Sequence, residues 1–319
     1  MKLVIQIPCY NEEKSLPVVL KSLPKHIDGI DEIEVVVIDD GSSDNTVEAA
    51  KQLGVKHFAV LSPNRGLAKA FIAGLEKSLE IGADIIVNTD ADNQYDSADI
   101  EKLIQPILKH EADIVIGTRP VEKIKHFSFL KKVLQKFGSA VMRFISSTSV
   151  KDAPSGFRAF SRNAALQLNV FDNYTYTLET IIQARAKGLQ LVSVPVHVNP
   201  ELRKSRLVRS IFDYIRRSVF TMLRMFIVYR PFRFFITLSA ISLFFGLCIG
   251  GRFLWFFFSG QGNGHIQSLI LASILLLTGV QIGLIAVLAE LISINRRLME
   301  DVQKRLKLLD LKNNQDVVK

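Results

Sequence analysis

Late in this 319-residue chain lie two uncharged apolar runs, Phe234–Gly251 and Leu269–Ala289. At about 1.5 Å rise per residue they would span roughly 27 and 31 Å as helices, close to the hydrocarbon core of a bilayer. The segment between them, Ser259-Gly260-Gln261-Gly262-Asn263-Gly264-His265, has no Lys or Arg. Arg230 and Arg233 precede the pair, and Arg296 and Arg297 follow it. Because such charges favour the cytoplasmic side, the pattern predicts a two-helix transmembrane hairpin over residues 232–293 with its glycine turn outside. Arg252, near the outer end of the first span, could snorkel to the interface. The opening run, Met1–Pro8, is too short for a signal peptide. The expected location is therefore the inner membrane, with both termini and the front domain cytoplasmic.

Charge placement agrees with this layout. The formal net charge is +9, and residues 201–233 hold nine Lys/Arg against only Glu201 and Asp213. A basic excess directly before an apolar block points to an anionic membrane surface rather than to nucleic acid. Leu207, Ile211, Ile215, Val219, Leu223 and Phe226 recur there at helical spacing. Residues 201–231 thus read as an interfacial amphipathic helix, with Arg209, Arg216 and Arg217 toward lipid headgroups. A helix packed on the globular domain is the alternative. The charged tail, residues 294–319, carries Leu298, Val302, Leu306 and Leu309 on one side, as an oligomerisation helix or a frayed end would.

The first two hundred residues have a different rhythm. Leu3–Pro8, Glu34–Ile38, Phe58–Leu61, Ile85–Thr89 and Ile114–Gly117 are short runs rich in β-branched residues, expected as buried strands. Between them, Glu12–Leu23, Asn45–Leu53, Gly66–Ile81 and Ala98–His110 are expected as helices, with Ser43–Thr46 and Ser97 as capping candidates. Such alternation predicts an α/β domain over residues 1–200, Rossmann-like with a mostly parallel sheet, whose sites lie at the carboxyl ends of strands. Hydrophobic residues at 48% and charged ones at 22% exclude a disordered chain. Cys9 and Cys248 have no ligand-type spacing, which argues against zinc or a disulfide framework.

The polar clusters fall at those strand ends. Asn88-Thr89-Asp90-Ala91-Asp92-Asn93-Gln94 offers two carboxylates at i and i+2 plus an amide oxygen, suited to Mg²⁺ or Mn²⁺ with substrate phosphate completing the shell. Ordinary acidic loops also contain Asp-x-Asp. Asp39 or Asp40 could accept from a base or a ribose hydroxyl, although Asp-Gly-Ser also marks simple turns. Pro8-Cys9-Tyr10-Asn11-Glu12-Glu13 ends the first strand, and Gly117-Thr118-Arg119 offers an arginine for phosphate.

These motifs, with Asn64-Arg65-Gly66 and Ser155-Gly156-Phe157-Arg158, occur in the order found in family-two glycosyltransferases of the GT-A fold. More narrowly, residues 1–206 resemble polyprenyl-phosphate glycosyltransferases, including dolichyl-phosphate mannose synthases and the GtrB-type enzymes, whose two-span tail the chain shares. The resemblance implies metal binding by Asp90, Asp92 and Gln94. It implies a nucleotide pocket from Pro8, Tyr10, Glu12, Asp39 and Asp40, and phosphate contacts from Arg119 and Lys131. Asp92, Arg119 and Asp152 are then catalytic, Asp152 as the nearest substitute for an acidic residue that GtrB-type enzymes carry by the Ser155–Phe157 loop. Two departures stand out: the glycine of Arg-x-x-Gly-x-Ser-Lys is missing from Glu201-Leu202-Arg203-Lys204-Ser205-Arg206, and the 155–157 loop itself is not acidic.

The implied activity is inverting, metal-dependent sugar transfer from a nucleotide sugar, UDP-linked, to a polyprenyl phosphate, by a homo-oligomer for which the resemblance favours a tetramer. Rival expectations are a same-fold transferase acting on a diacylglycerol or a glycan, and a non-catalytic nucleotide-sugar-binding partner of a translocase. Gly-x-Gly-x-x-Gly after a strand and Gln-x-x-Arg-Trp are both absent from the sequence, against a dinucleotide oxidoreductase and a processive synthase. The predicted topology has a direct check. A cysteine placed at Asn263 should react with an impermeant thiol reagent in intact cells, and labelling at position 319 instead would reverse the orientation.

Overall fold

The computed structural model describes residues 1–120, 150, 152–170, 176–200, 216, 219–220, 223–224, 226–260 and 262–317. Seven strands form one sheet: β1 (Lys2–Cys9), β2 (Glu32–Asp39), β3 (His57–Val60), β4 (Ile85–Asn88), β5 (Ile114–Thr118), β6 (Arg158–Ser161) and β7 (Leu191–Pro195). Their order is β3-β2-β1-β4-β6-β5-β7. All neighbouring pairs are parallel except those made by β6, which runs antiparallel to β4 and β5. The expected mostly parallel α/β sheet is thus present.

Among the described residues, six helices belong to this part: α1 (Leu16–Ser22), α2 (Thr46–Gln52), α3 (Leu67–Glu80), α4 (Asp99–Leu108), α5 (Arg162–Gln167) and α6 (Thr177–Ala186). Strand alternation splits the core into two layers. Leu3, Ile5, Ile7, Ile85 and Val87 pack with Leu16 and Val19 of α1 and with Ile100, Leu103 and Ile104 of α4. On the opposite face, α3 brings Gly74 against Gln6 and Ile38, and Phe71 against Phe160 and Tyr176. Burial on both faces explains why the strands read as continuous apolar runs.

The helices begin later than their periodicity suggests. α1 starts at Leu16 rather than near Glu12, because residues 11–15 are spent on a loop fastened to the loop after β2 and to the first residue of α2. Just before α4, Asp96 rather than Ser97 accepts from Ala98 N (3.0 Å), while Ser97 meets Ser22 side chain to side chain at 2.8 Å. At α2 the corresponding acceptor is Asp44, 3.1 Å from Thr46 N.

The chain divides into two compact units, Leu223–Val302 and the remainder. After residue 230, α7 (Pro231–Phe258) is joined through a 3₁₀ turn, Gly262–His265, to α8, which runs unbroken over Ile266–Val317. The charged tail therefore continues the second apolar helix. Small residues form the seam between the two helices: Ser239 Oγ donates to Gly279 O (2.7 Å) and Ser242 Oγ to Leu275 O (2.8 Å). A Cβ on Gly279 would come within 2.7 Å of Leu243. Phe244, Leu247, Leu277 and Leu284 point outward at 62–65% exposure. Two helices long and apolar enough to cross a membrane, with apolar side chains on the outside, point to membrane association. Most of residues 201–225 lie outside the described residues; within the expected interfacial segment, 216, 219–220, 223–224 and 226–229 are described and are helical.

In the larger unit, Arg158 is fully buried at the start of β6. It donates to Ser155 O (2.8 Å), Ala153 O (2.7 Å), Thr177 O (2.8 Å) and Thr180 Oγ1 (2.6 Å). Burial pushes its pKa down to about 10, so it stays charged at neutral pH. Arg158→Met keeps much of the stem but withdraws donors from four buried acceptors. A loss of at least about 3 kcal/mol is expected, read from the urea midpoint of the detergent-solubilised protein. An unchanged midpoint would remove this residue from the framework.

Candidate active site

Four loops leave the carboxyl ends of β1, β2, β4 and β5 at one edge of the sheet. After β1, Asn11 adopts a left-handed φ of 55°, which lets its Oδ1 accept from Ser43 N (2.7 Å) while its own N donates to Ser42 Oγ (2.9 Å). Glu12 is buried, accepts from the Ser15 hydroxyl and donates its N–H to Thr46 Oγ1 at 2.9 Å. Pro8 is buried and Tyr10 is 44% exposed. The β1 and β2 loops are thereby sewn into one wall.

The two acids at the carboxyl end of β2 have different surroundings. Asp39 accepts from Ser42 N at 3.1 Å. Asp40 spends one oxygen on Arg65 N (2.8 Å) and the other on Gly66 N (2.9 Å), fastening the Asn64-Arg65-Gly66 turn that opens α3. Between them and Ser42, Gly41 has φ 76°, and a Cβ there would lie 2.9 Å from Asn64 N. Only glycine fits both requirements.

After β4, Asp90, Asp92 and Gln94 are partly exposed. Asp92 Oδ1 accepts from Gln94 N (3.0 Å), and Asn93 takes φ 59° to make the turn. Arg119, at the end of β5, reaches Gln94 Oε1 through Nη1 at 3.4 Å. The same guanidinium grips Asp152 with two bonds, Nε to Oδ2 at 2.7 Å and Nη2 to Oδ1 at 3.0 Å. Asp152 is 1% exposed. Burial opposes the charge on Arg119, but Tyr95 and Asp152 more than offset it and its pKa is raised. Asp90, Asp92, Gln94, Arg119 and Asp152 are therefore gathered in one place, although Asp152 lies 58 or more residues from the acidic loop.

Beneath that loop is a buried polar layer. Gln6 Nε2 donates to Asn88 Oδ1 (2.8 Å), and Asn88 Nδ2 donates to Gly156 O (2.9 Å) and to Tyr176 Oη (2.8 Å). Tyr95 stacks on Phe157, and burial pushes its phenol up to about 12. Sequence reasoning did not single out Tyr95, Tyr176, Asn88 or Gln6. For the last two a signal existed: an uncharged polar residue inside an otherwise apolar buried strand needs a buried partner. Lys131 and the 201–206 segment lie outside the described residues.

Oxygen donors alone, two of them carboxylates, suit a hard divalent cation that keeps substrate or water in its shell. Asp90 also faces the open space that the missing side chain of Gly156 leaves, since a Cβ there would be 3.0 Å from each of its oxygens. The residues fit Mg²⁺ or Mn²⁺.

Strand order, the reversed β6 and the acidic loop after β4 define a GT-A-like α/β domain. The family model for glycosyl transferase family 2 matches residues 4–168, and the chain belongs to that family. It is related to the polyprenyl-phosphate glycosyltransferases. A UDP-N-acetylglucosamine–dolichyl-phosphate N-acetylglucosaminyltransferase of Methanococcus voltae is 33% identical over 215 residues, 60% of this chain and 82% of its own. A dolichol-phosphate mannosyltransferase of Pyrococcus furiosus is 31% identical over 274 residues, 81% of this chain and 72% of its own. Glucosyl-3-phosphoglycerate synthase of Mycobacterium tuberculosis, solved with Mn²⁺, UDP and phosphoglyceric acid, shares the fold with a TM-score of 0.56. Its sequence identity is 18%, over 70% of this chain and 78% of that one.

The Arg119–Asp152 pair yields a prediction. Asp152→Asn places an amide against a buried guanidinium and breaks the ion pair, so a loss of about 3 kcal/mol is expected. A double-mutant cycle with Arg119→Gln should recover part of it. Additive losses would mean that the two side chains do not act together.

Proposed function

We propose that the protein transfers a sugar, with inversion at the anomeric carbon, from a UDP-linked donor to the phosphate of a membrane polyprenol. The observation that carries this reading is the Asp90–Gln94 loop beside Arg119 in a chain that goes on to an apolar hairpin. The names of the relatives support a nucleotide-sugar donor and a polyprenyl or dolichyl phosphate acceptor.

In this reading Pro8, Tyr10, Glu12 and Asp39 hold the nucleoside, and Asp40 acts by holding the Arg65–Gly66 turn in place. Asp90, Asp92 and Gln94 would hold Mg²⁺ or Mn²⁺, which when bound neutralises charge on the departing diphosphate. Arg119 offers its remaining N–H groups to a phosphate oxygen, and Asp152 keeps the guanidinium oriented. Lys131 is a second phosphate contact. An acceptor phosphate is already ionised at neutral pH, so its oxygen can attack without a strong general base. Positioning and electrostatics then carry most of the rate. Arg209, Arg216 and Arg217 would keep the site at headgroup depth, each contributing about 1 kcal/mol of attraction to an anionic surface. A cytoplasmic catalytic domain and a homo-oligomeric, tetrameric assembly complete the proposal.

Asp92→Asn is expected to lower turnover at least about a hundredfold, and EDTA should abolish turnover by the unaltered protein. Near-normal turnover of the variant in EDTA would sink the metal assignment. Incubation with a panel of nucleotide sugars and undecaprenyl phosphate should give a sugar–phosphate–prenol by mass spectrometry. A glycosylated diacylglycerol or glycan in its place would overturn the acceptor.

A further inference from the structure

Gly156 sits where a side chain would collide with the acidic loop, and its peptide is held on both sides. Its N–H donates to Tyr95 Oη at 3.2 Å. Its carbonyl accepts from Asn88 Nδ2 at 2.9 Å and from Tyr176 Oη at 3.1 Å. Tyr176 cannot swing, because its ring lies flat on Phe71 with centroids 3.8 Å apart and an interplanar angle of 3°. The donors and acceptors balance: Tyr176 receives one proton from Asn88 and gives its own to Gly156 O. Asn88 itself is held by Gln6, so this chain of bonds runs from the middle of β1 to the loop before β6.

The clamped peptide faces Asp90. A Cβ on Gly156 would stand 3.0 Å from both carboxylate oxygens and 3.2 Å from Tyr176 Oη, so a neighbour would have to give by a few tenths of an ångström. The tyrosine is stacked and doubly hydrogen-bonded, and the methyl group would press on both carboxylate oxygens. Gly156 is not among the glycines with positive φ. Space, not backbone conformation, therefore calls for glycine here.

We infer that Gly156 and the Tyr95–Asn88–Tyr176 clamp form a positioning device for the Asp90 carboxylate, setting where its oxygens stand for a divalent cation. This rests on the metal role proposed above for Asp90 and adds the residues that place it. Groups behind metal ligands commonly change affinity about 10–100-fold when altered. Gly156→Ala is thus expected to raise the Kd for Mn²⁺ at least about tenfold, while UDP binding measured in EDTA stays unchanged. Tyr176→Phe, which keeps the ring stack and loses only the hydroxyl, should shift it in the same direction by a smaller factor.

The experiment is a Mn²⁺ titration followed by electron paramagnetic resonance. It uses the full-length protein in detergent, with thermal melting in parallel and Asp90→Asn as the reference. A purely structural role for the clamp predicts lower melting temperatures with the wild-type Kd. That result in both variants would overturn the inference while leaving the metal reading intact. Wild-type protein binding Mn²⁺ no better than Asp90→Asn would overturn both. If Gly156→Ala fails to fold, Tyr176→Phe decides alone: a weakened Kd supports the clamp, and an unchanged one removes it.

Discussion

The site depends on one reversal of chain direction. β6 lies between two strands of a sheet that is otherwise parallel, and it runs the other way. Its first residue, Arg158, pairs with Asn88 and with Ile116, near the carboxyl ends of β4 and β5. The segment before β6 must therefore arrive at the same edge as the acidic loop and Arg119. A parallel strand in that slot would have delivered residues 152–157 to the opposite edge. Buried Arg158 secures the arrangement, because its guanidinium satisfies backbone carbonyls on both sides of the strand's entry.

From that constraint follows a division between a stiff back and an accessible front. Behind the acidic loop the polar groups are tied into a network: Gln6 to Asn88, Asn88 to Gly156 and Tyr176, Gly156 to Tyr95. In front, Asp90, Asp92 and Gln94 keep partial exposure. The back resists displacement because any shift would leave a buried amide or hydroxyl unpaired, at a cost of about 1–3 kcal/mol each. The hairpin uses a related device under different conditions. Where surroundings are apolar, burial drives little association, so Ser239, Ser242, Gly246 and Gly279 bring the two helices close enough for hydroxyl-to-carbonyl bonds and tight packing.

Periodicity, charge and motif order were enough to read the α/β class, the five strands that precede β6 and the two long apolar helices, because each leaves a local trace. A buried parallel strand is a β-branched run, and a bilayer-length helix is a charge-free run. Motifs at strand ends betray the edge where they will meet. β6 left no such trace: four residues beginning with a buried arginine and ending in serine look like a turn. The identity of the carboxylates was legible as well, but their work was not. Asp39 and Asp40 are neighbours with the same chemistry, yet Asp40 fastens a turn that opens 25 residues later. Asp152 read as a catalytic candidate, and only the fold put it in the grip of Arg119. The sequence by itself determined which chemical groups the protein owns and which segments could be strand, helix or membrane span, since those depend on neighbours along the chain. Which groups share a hydrogen bond, and why a methyl group at position 156 would press on Asp90, was decided by tertiary structure. Those facts depend on residues 20 to 88 positions apart meeting within about 3 Å.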